Sequence, residues 1–240
     1  PNACAGSPTP PDDNRDGKLN PGIFEYVTVY SREPNQRADG SARIDVNNTD
    51  QSQLTSVLQE SLGQQRAQEI QQQIQPYRGQ IRSLVEFYLR SKMTAQEFTQ
   101  VAGDLTVTNS TYLEGLINVN TAPAPVLACI PGIGMDKAPQ LVAWRRSRTT
   151  NDLYSVAWVT QVLDETSAIQ AGPYITTFSY QFSADVVAMG NHGRGYRRTL
   201  FVFDTSNGNP RIVYRRDRER LGWALGAERQ SPWLAGKELP

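Results

Sequence analysis

The chain has 240 residues, 24 basic and 24 acidic side chains and a formal net charge of zero. That balance excludes a whole-molecule field that would draw in nucleic acid or a membrane surface, and no run of about 18 apolar residues is present to span a bilayer. The length suffices to bury a real core, as one large or two ordinary domains.

Residues 1–22 are rich in Pro, Asp, Asn and Gly and are expected to form a long surface loop. Within it, Asp12-Asp13-Asn14-Arg15-Asp16-Gly17-Lys18-Leu19-Asn20 has oxygen ligands at the first, third and fifth positions, glycine at the sixth and an apolar residue at the eighth. That is the first half of a calcium loop. Asp12, Asn14, Asp16 and Lys18 are therefore candidate calcium ligands, and calcium is the one cofactor that the sequence suggests. The twelfth position is Ile23 rather than Glu, with Glu25 two residues late, so a solvated turn is the competing reading. The sequence carries no signal-peptide pattern, and a start on Pro1 is what a fragment or a processed product would show.

Residues 23–30 alternate well enough to be a β-strand, followed by a polar loop over 34–41. Residues 50–75 read as helix, with Leu54, Val57, Leu58, Leu62, Ala67, Ile70 and Ile74 as the apolar stripe and the glutamines on the solvated face. A second helix is expected over 80–91, with Ile81, Leu84, Val85, Tyr88 and Leu89 inward. Thr94-Ala95-Gln96-Glu97 is a capping box opening a short helix to about Ala102.

Gly115-Leu116-Ile117-Asn118-Val119-Asn120-Thr121-Ala122-Pro123-Ala124-Pro125-Val126-Leu127 leads into Ile130-Pro131-Gly132-Ile133-Gly134-Met135-Asp136-Lys137-Ala138. Asn120 or Thr121 suits an N-cap. Val126, Leu127 and Ile130 share a helical face, and Pro131-Gly132 ends that helix in a tight glycine turn. A second helix follows, with Ala138, Leu141, Val142 and Trp144 apolar and Arg145, Arg146 and Arg148 at its end, as the helix dipole favours. The pattern is a helix-hairpin-helix. Upstream, Arg43-Ile44-Asp45-Val46-Asn47-Asn48-Thr49-Asp50 followed by Leu54 matches Leu116 to Pro123 followed by Leu127 position for position. With a two-residue gap, Leu62-Gly63, Ala67 and Ile70 match Ile133-Gly134, Ala138 and Leu141. The chain thus contains two related hairpins, over about 42–75 and 115–148.

Residues 151–171 hold more short helix, with Leu153, Val156, Val159, Val162 and Leu163 inward. From Pro173 the character changes: residues 174–179, 180–189, 197–204 and 211–215 read as strands separated by turn-forming segments. An antiparallel sheet of three or four strands is expected. The last residues, with Trp223 and Trp233, carry little pattern. Cys4 and Cys129 allow one disulfide; unpaired, Cys129 would be a small buried hydrophobe beside Ile130.

Nothing forms an active site. His192 lies in a glycine-rich turn and reads as a solvated surface residue, no nucleophile elbow or metal-ligand cluster exists, and an enzyme is not expected. Arg215, Arg216, Arg218 and Arg220 alternate with acids and read as a solvated strand end.

The residues Tyr26 to Ser31, Arg43 to Asp50, Ile117 to Leu127 and Tyr174 to Ser179 with the two strands beyond resemble the soluble part of the general secretion pathway protein K family, the large minor pseudopilins of type II secretion systems. The resemblance covers about residues 24–216. It implies an α+β fold in which a helical domain with two helix-hairpin-helix (SAM-like) repeats is inserted into a pilin-like antiparallel β-sheet module. The expected divisions are 1–41, 42–172 and 173–240. It further implies a structural subunit that caps or initiates the pseudopilus by binding other minor pseudopilins. Such proteins act on the periplasmic side of the inner membrane, and their full-length form is anchored by an amino-terminal helix that this piece lacks. Family members bind calcium.

The alternative is a DNA-binding hairpin protein of the competence type, in which the amides of Gly132 and Gly134 hold a phosphate beside Lys137. Nucleic acid is not the expected partner, because the first repeat offers only Arg66 near its turn and affinity needs several phosphate contacts.

Overall fold

The helices form where an apolar stripe can be buried and a polar side chain can close the first turn. The computed structural model describes residues 26–190 and 195–219. Over these it is an α+β protein with seven α-helices, and nine strands grouped in three two-stranded ribbons and one three-stranded sheet. No helix among the described residues is long and apolar enough to cross a membrane.

The stretch at 50–75 is two helices, α1 (Ser52–Leu62) and α2 (Gln64–Ile74), which pack on each other. Gly63 separates them at φ +86, a backbone state that a side chain resists. Leu54, Leu58, Ala67, Ile70 and Ile74 are buried as their spacing predicts, each large side chain contributing about 1.5–3 kcal/mol. The helix expected from residue 80 starts later, as α3 (Leu84–Ser91), because Ser83 caps it through the Glu86 amide at 3.1 Å. Its burial is not a single stripe. Phe87 enters one core while Val85 enters a second, so α3 lies between them. The capping box at Thr94 opens α4 (Ala95–Val101), as expected.

Two segments then close in the same way. Strand β2 (Ile44–Asp45) pairs in parallel with β3 (Leu105–Thr106), and β5 (Ile117–Asn118) with β6 (Ile175–Thr176). Val46 donates its amide to Thr106 O at 2.9 Å, and Val119 donates to Thr176 O at 2.9 Å. The asparagines that follow do equivalent work. Asn47 donates Nδ2 to Ile81 O at 2.8 Å and to Val107 O at 3.5 Å. Asn120 donates Nδ2 to Leu153 O at 2.9 Å and to Thr177 O at 3.2 Å. Each segment has its own apolar cluster, one mainly over 44–105 and one mainly over 117–175. The similarity seen in sequence over the hairpins therefore extends through α4 and β3 in the first unit and through α7 (Glu165–Ala171) and β6 in the second.

Three expectations are corrected. Asn120 and Thr121 do not cap α5 (Ala124–Ala128); its N-cap is Pro123 without a side-chain bond, because Asn120 is committed to carbonyls across the unit. Of the strand expected at 23–30, residues 23–25 lie outside the described residues and 26–30 are not strand. No strand ladder holds them, and Val29 is 91% exposed. The strand is instead β1 (Arg32–Pro34), which pairs antiparallel with β4 (Tyr112–Glu114). Residues 174–179 do not join the antiparallel sheet, since their only strand is β6, held by β5.

That sheet has the order β7 (Gln181–Met189), β8 (Tyr196–Asp204), β9 (Arg211–Asp217), all antiparallel. Val202 and Asp204 on one face are buried. Arg32 of β1 donates Nη2 to Asp204 Oδ2 at 2.9 Å, and Tyr30 meets Tyr214 with ring centroids 5.6 Å apart. Burial would raise the Asp204 carboxyl. Hydrogen bonds from the Ser206 hydroxyl and amide, Gln181 and Arg32 outweigh it and hold the group well below the usual carboxylate range.

Candidate functional site

The hairpin turn is the place to test a phosphate site. Helix α6 (Gly134–Arg146) starts at the turn, and Ala138 and Leu141 are buried on its inner side. Gly132 has φ +84, and a Cβ there would run into Ser167 O and reach Gln170 Cβ at 2.9 Å. The glycine lets the turn sit directly on α7. Gly134, at φ +67, has no atom within 4 Å of such a Cβ and serves backbone geometry alone.

Lys137 points into the protein's own carboxylate. Its Nζ lies 2.5 Å from Asp164 Oδ2 and 2.5 Å from Ser167 Oγ. Asp164 is the N-cap of α7, accepting the Ser167 amide at 3.0 Å. The Lys137 ammonium, then the Ser167 amide and hydroxyl, hold the Asp164 carboxyl well below the usual carboxylate range. The first unit has the same device with the charges moved by one turn. Arg66 donates Nε to Glu97 Oε1 at 2.7 Å and Nη2 to Glu97 Oε2 at 3.1 Å, and Glu97 also accepts the Thr94 amide. In each unit a cation from the second hairpin helix thus locks onto the cap of the closing helix.

Arg66, then the Thr94 amide, pull the Glu97 carboxyl from 4.5 down to about 2. A depressed carboxylate stabilises the fold fully above its unfolded value and loses that contribution as pH falls through the folded one. With both side chains about a quarter exposed, solvent screening leaves roughly 1 kcal/mol. Glu97→Gln is expected to cost about that much at pH 7, the gap to wild type closing between pH 4.5 and about 2 in urea denaturation series. A gap independent of pH would mean that Glu97 acts by packing and not by charge.

Two of the three arginines at the end of α6 are also engaged, and Arg146 is exposed. Arg145 donates Nη1 to Val119 O at 2.6 Å, and burial holds its guanidinium below the usual arginine range. Arg148 lies 4.5 Å over the Trp144 ring, which stacks on Trp158 with centroids 5.0 Å apart. Gly132, Gly134 and Lys137 are brought together, with Gly132 packed on α7 and Lys137 paired with the exposed Asp164. Nothing in this geometry favours the DNA alternative.

The candidate calcium ligands Asp12, Asn14, Asp16 and Lys18 lie outside the described residues, as do Cys4, His192, Arg220, Trp223 and Trp233. Among the described residues no group of three or more His, Cys, Asp or Glu side chains could hold a metal. Cys129 is exposed rather than buried, its Sγ donating to Pro125 O at 3.3 Å; Leu127 and Ile130 take the inward positions instead.

What sequence reading did not single out is the outward face of the sheet. The register places Phe182, Ala184, Val186, Phe201, Phe203 and Ile212 on the face opposite Val202 and Asp204. Phe182, Val186 and Ile212 are 49%, 47% and 55% exposed. Period-two alternation was visible in β7, but which parity faces out depends on where Asp204 docks. Phe201 and Phe203 between them are half-buried, with Arg215 lying 5.8 Å over the Phe201 ring.

The fold is that of an α+β protein with paired helical units and an antiparallel sheet. The family described as Type II secretion system (T2SS), protein K matches residues 117–168, within the second of the two similar units. Over that stretch the chain is similar to the family. No curated protein and no solved structure matches the chain.

Proposed function

We propose that this chain is a non-enzymatic, minor pseudopilin-like subunit of the cell envelope that caps or initiates a type II secretion pseudopilus through protein–protein contacts. The two helical units are read as helix-hairpin-helix, SAM-like repeats within a domain over 42–172, inserted into a pilin-like sheet module formed by 1–41 and 173–240. The protein K match over 117–168 points to the machine. The observation that carries the contact is the apolar outward face of β7–β9, with Phe182 and Val186 half exposed. An aqueous surface gains by covering such a patch, at about 25 cal/mol per Å² removed from water, and the occupant proposed is a neighbouring pseudopilin subunit.

Purified partner pseudopilins are expected to form a stoichiometric complex with this chain on size exclusion. A Phe182→Glu, Val186→Glu double variant is expected to abolish that complex while melting within a few degrees of wild type, since exposed substitutions cost roughly 0.5 kcal/mol or less each. Separate elution with authentic partners counts against the role. A complex that survives the double variant moves the contact to another face.

A further inference from the structure

Strand β7 is an edge of its sheet, with β8 on one side and no strand among the described residues on the other. The bonds at the two ends of the β7–β8 ladder fix which main-chain groups stay free. Gly190 donates its amide to Gly195 O at 3.0 Å, and Thr205 donates to Tyr180 O at 2.8 Å. In an antiparallel pair the bonded residues recur at every second position, so Phe182, Ala184, Val186 and Ala188 bond to β8. Ser183, Asp185 and Val187 then turn their amides and carbonyls away from it. No hydrogen bond among the described residues takes these groups up.

The two edges of the sheet are built differently. The pairing of β9 is broken by a bulge at Val202/Phe203. Its free-edge positions are Arg215 and Asp217, since Arg218 donates its amide to Arg198 O at 2.8 Å. Bulges and charges are what keep an edge from pairing. By contrast β7 runs nine residues in unbroken register, without proline or lysine. Its single charge, Asp185, is already held by Arg198 at 2.8 Å and Arg218 at 3.1 Å. An edge left this regular is a template for another strand.

We propose that β7 pairs antiparallel with β7 of a second copy of this chain about a two-fold axis at Ala184, joining two three-stranded sheets into one. The strand is complementary to itself in this register. Phe182 of each copy faces Val186 of the other, an aromatic and β-branched pair of the kind that stabilises antiparallel strands. Ser183 of one copy and Asp185 of the other exchange main-chain bonds, using the groups that β8 leaves free. Centring the axis on Asp185 instead would set two carboxylates directly opposite, which is unfavourable. The contact is the same on both copies, so it closes at two and consumes the edge. This reading does not rest on the secretion role, and it uses the edge of the sheet where that role uses its outward face.

Sedimentation equilibrium of the full chain alone should show monomer and dimer in exchange. Ser183→Pro should weaken the dimer by at least about tenfold, because proline removes an edge donor and its ring obstructs the incoming strand. The ladder to β8 loses no bond, so the circular dichroism spectrum should stay that of wild type. The register is read by Ala184→Cys in a Cys4→Ser, Cys129→Ser background. Directly opposed Cα atoms at such a position lie about 4.5 Å apart, within the roughly 4.4–6.8 Å that a disulfide spans, so mild oxidation should cross-link the dimer. Val186→Cys in the same background should not cross-link, since its counterpart is displaced by about 13 Å along the strand. A monomer at every concentration, a dimer indifferent to Ser183→Pro, or preferential cross-linking of Val186→Cys would each overturn the proposal. A chain that is monomeric alone but loses a partner pseudopilin through Ser183→Pro would give the edge to that partner and equally overturn self-pairing.

Discussion

Gly132→Ala is expected to destabilise the protein by roughly 2–4 kcal/mol. Two costs add: a side chain at φ +84 costs about 1–2 kcal/mol, and its Cβ meets the backbone of Ser167, an overpacking that costs about 1–3 kcal/mol. The melting temperature should fall by about 10 °C for a chain of this size. Gly134→Ala is the control. Its φ of +67 carries the same backbone cost, but nothing lies within 4 Å of the added Cβ, so about 1–2 kcal/mol is expected. Equal losses at the two positions would show that the turn's conformation matters and its seat on α7 does not.

Asn120→Ala is expected to cost about 3 kcal/mol. Asn120 bridges two carbonyls with its Nδ2 and accepts Trp158 Nε1 at 3.0 Å on its Oδ1. Trp158 is 4% exposed, so its indole would be left buried and unpaired, at about 1–3 kcal/mol for such a group. The carbonyls of Leu153 and Thr177 lose their partner in the same step. Because these bonds hold β5 to β6, amide exchange at Val119, bonded to Thr176 O, should accelerate in the variant. Asn47→Ala should produce the matching loss in the first unit, where Ile81 donates its amide to Asn47 Oδ1 at 3.1 Å. A loss under about 1 kcal/mol at Asn120 would mean that the short parallel ribbon holds without the asparagine.

Much of this was written locally. The capping box at Thr94 needs only residues three apart, and it forms as expected. Leu54, Leu58, Ile70 and Ile74 announce a buried stripe by spacing alone, and the glycine at 63 announces a break by its missing side chain. The alternation from Gln181 to Asp204 was legible because both strands share one long antiparallel register. The recurrence of Asn-Val-Asn and Asp-Val-Asn revealed that two units are related. Asn120 was nevertheless misread as a cap candidate, since its carbonyl partners lie tens of residues away.

The sequence by itself determined most helices, the capping box and the similarity of the two Asn-containing segments, because each follows from residues near one another in the chain. Only the tertiary structure decided the rest. Two-residue strands such as β2 and β6 have no period to detect, and they exist because a distant partner supplies their hydrogen bonds. Lys137 looked like a phosphate ligand until the fold brought Asp164 beside it. The outward face of the sheet became a surface only when Arg32 docked Asp204 on the other side. Local chemistry chose the elements; contacts across the chain chose which of their groups are left free to meet a partner.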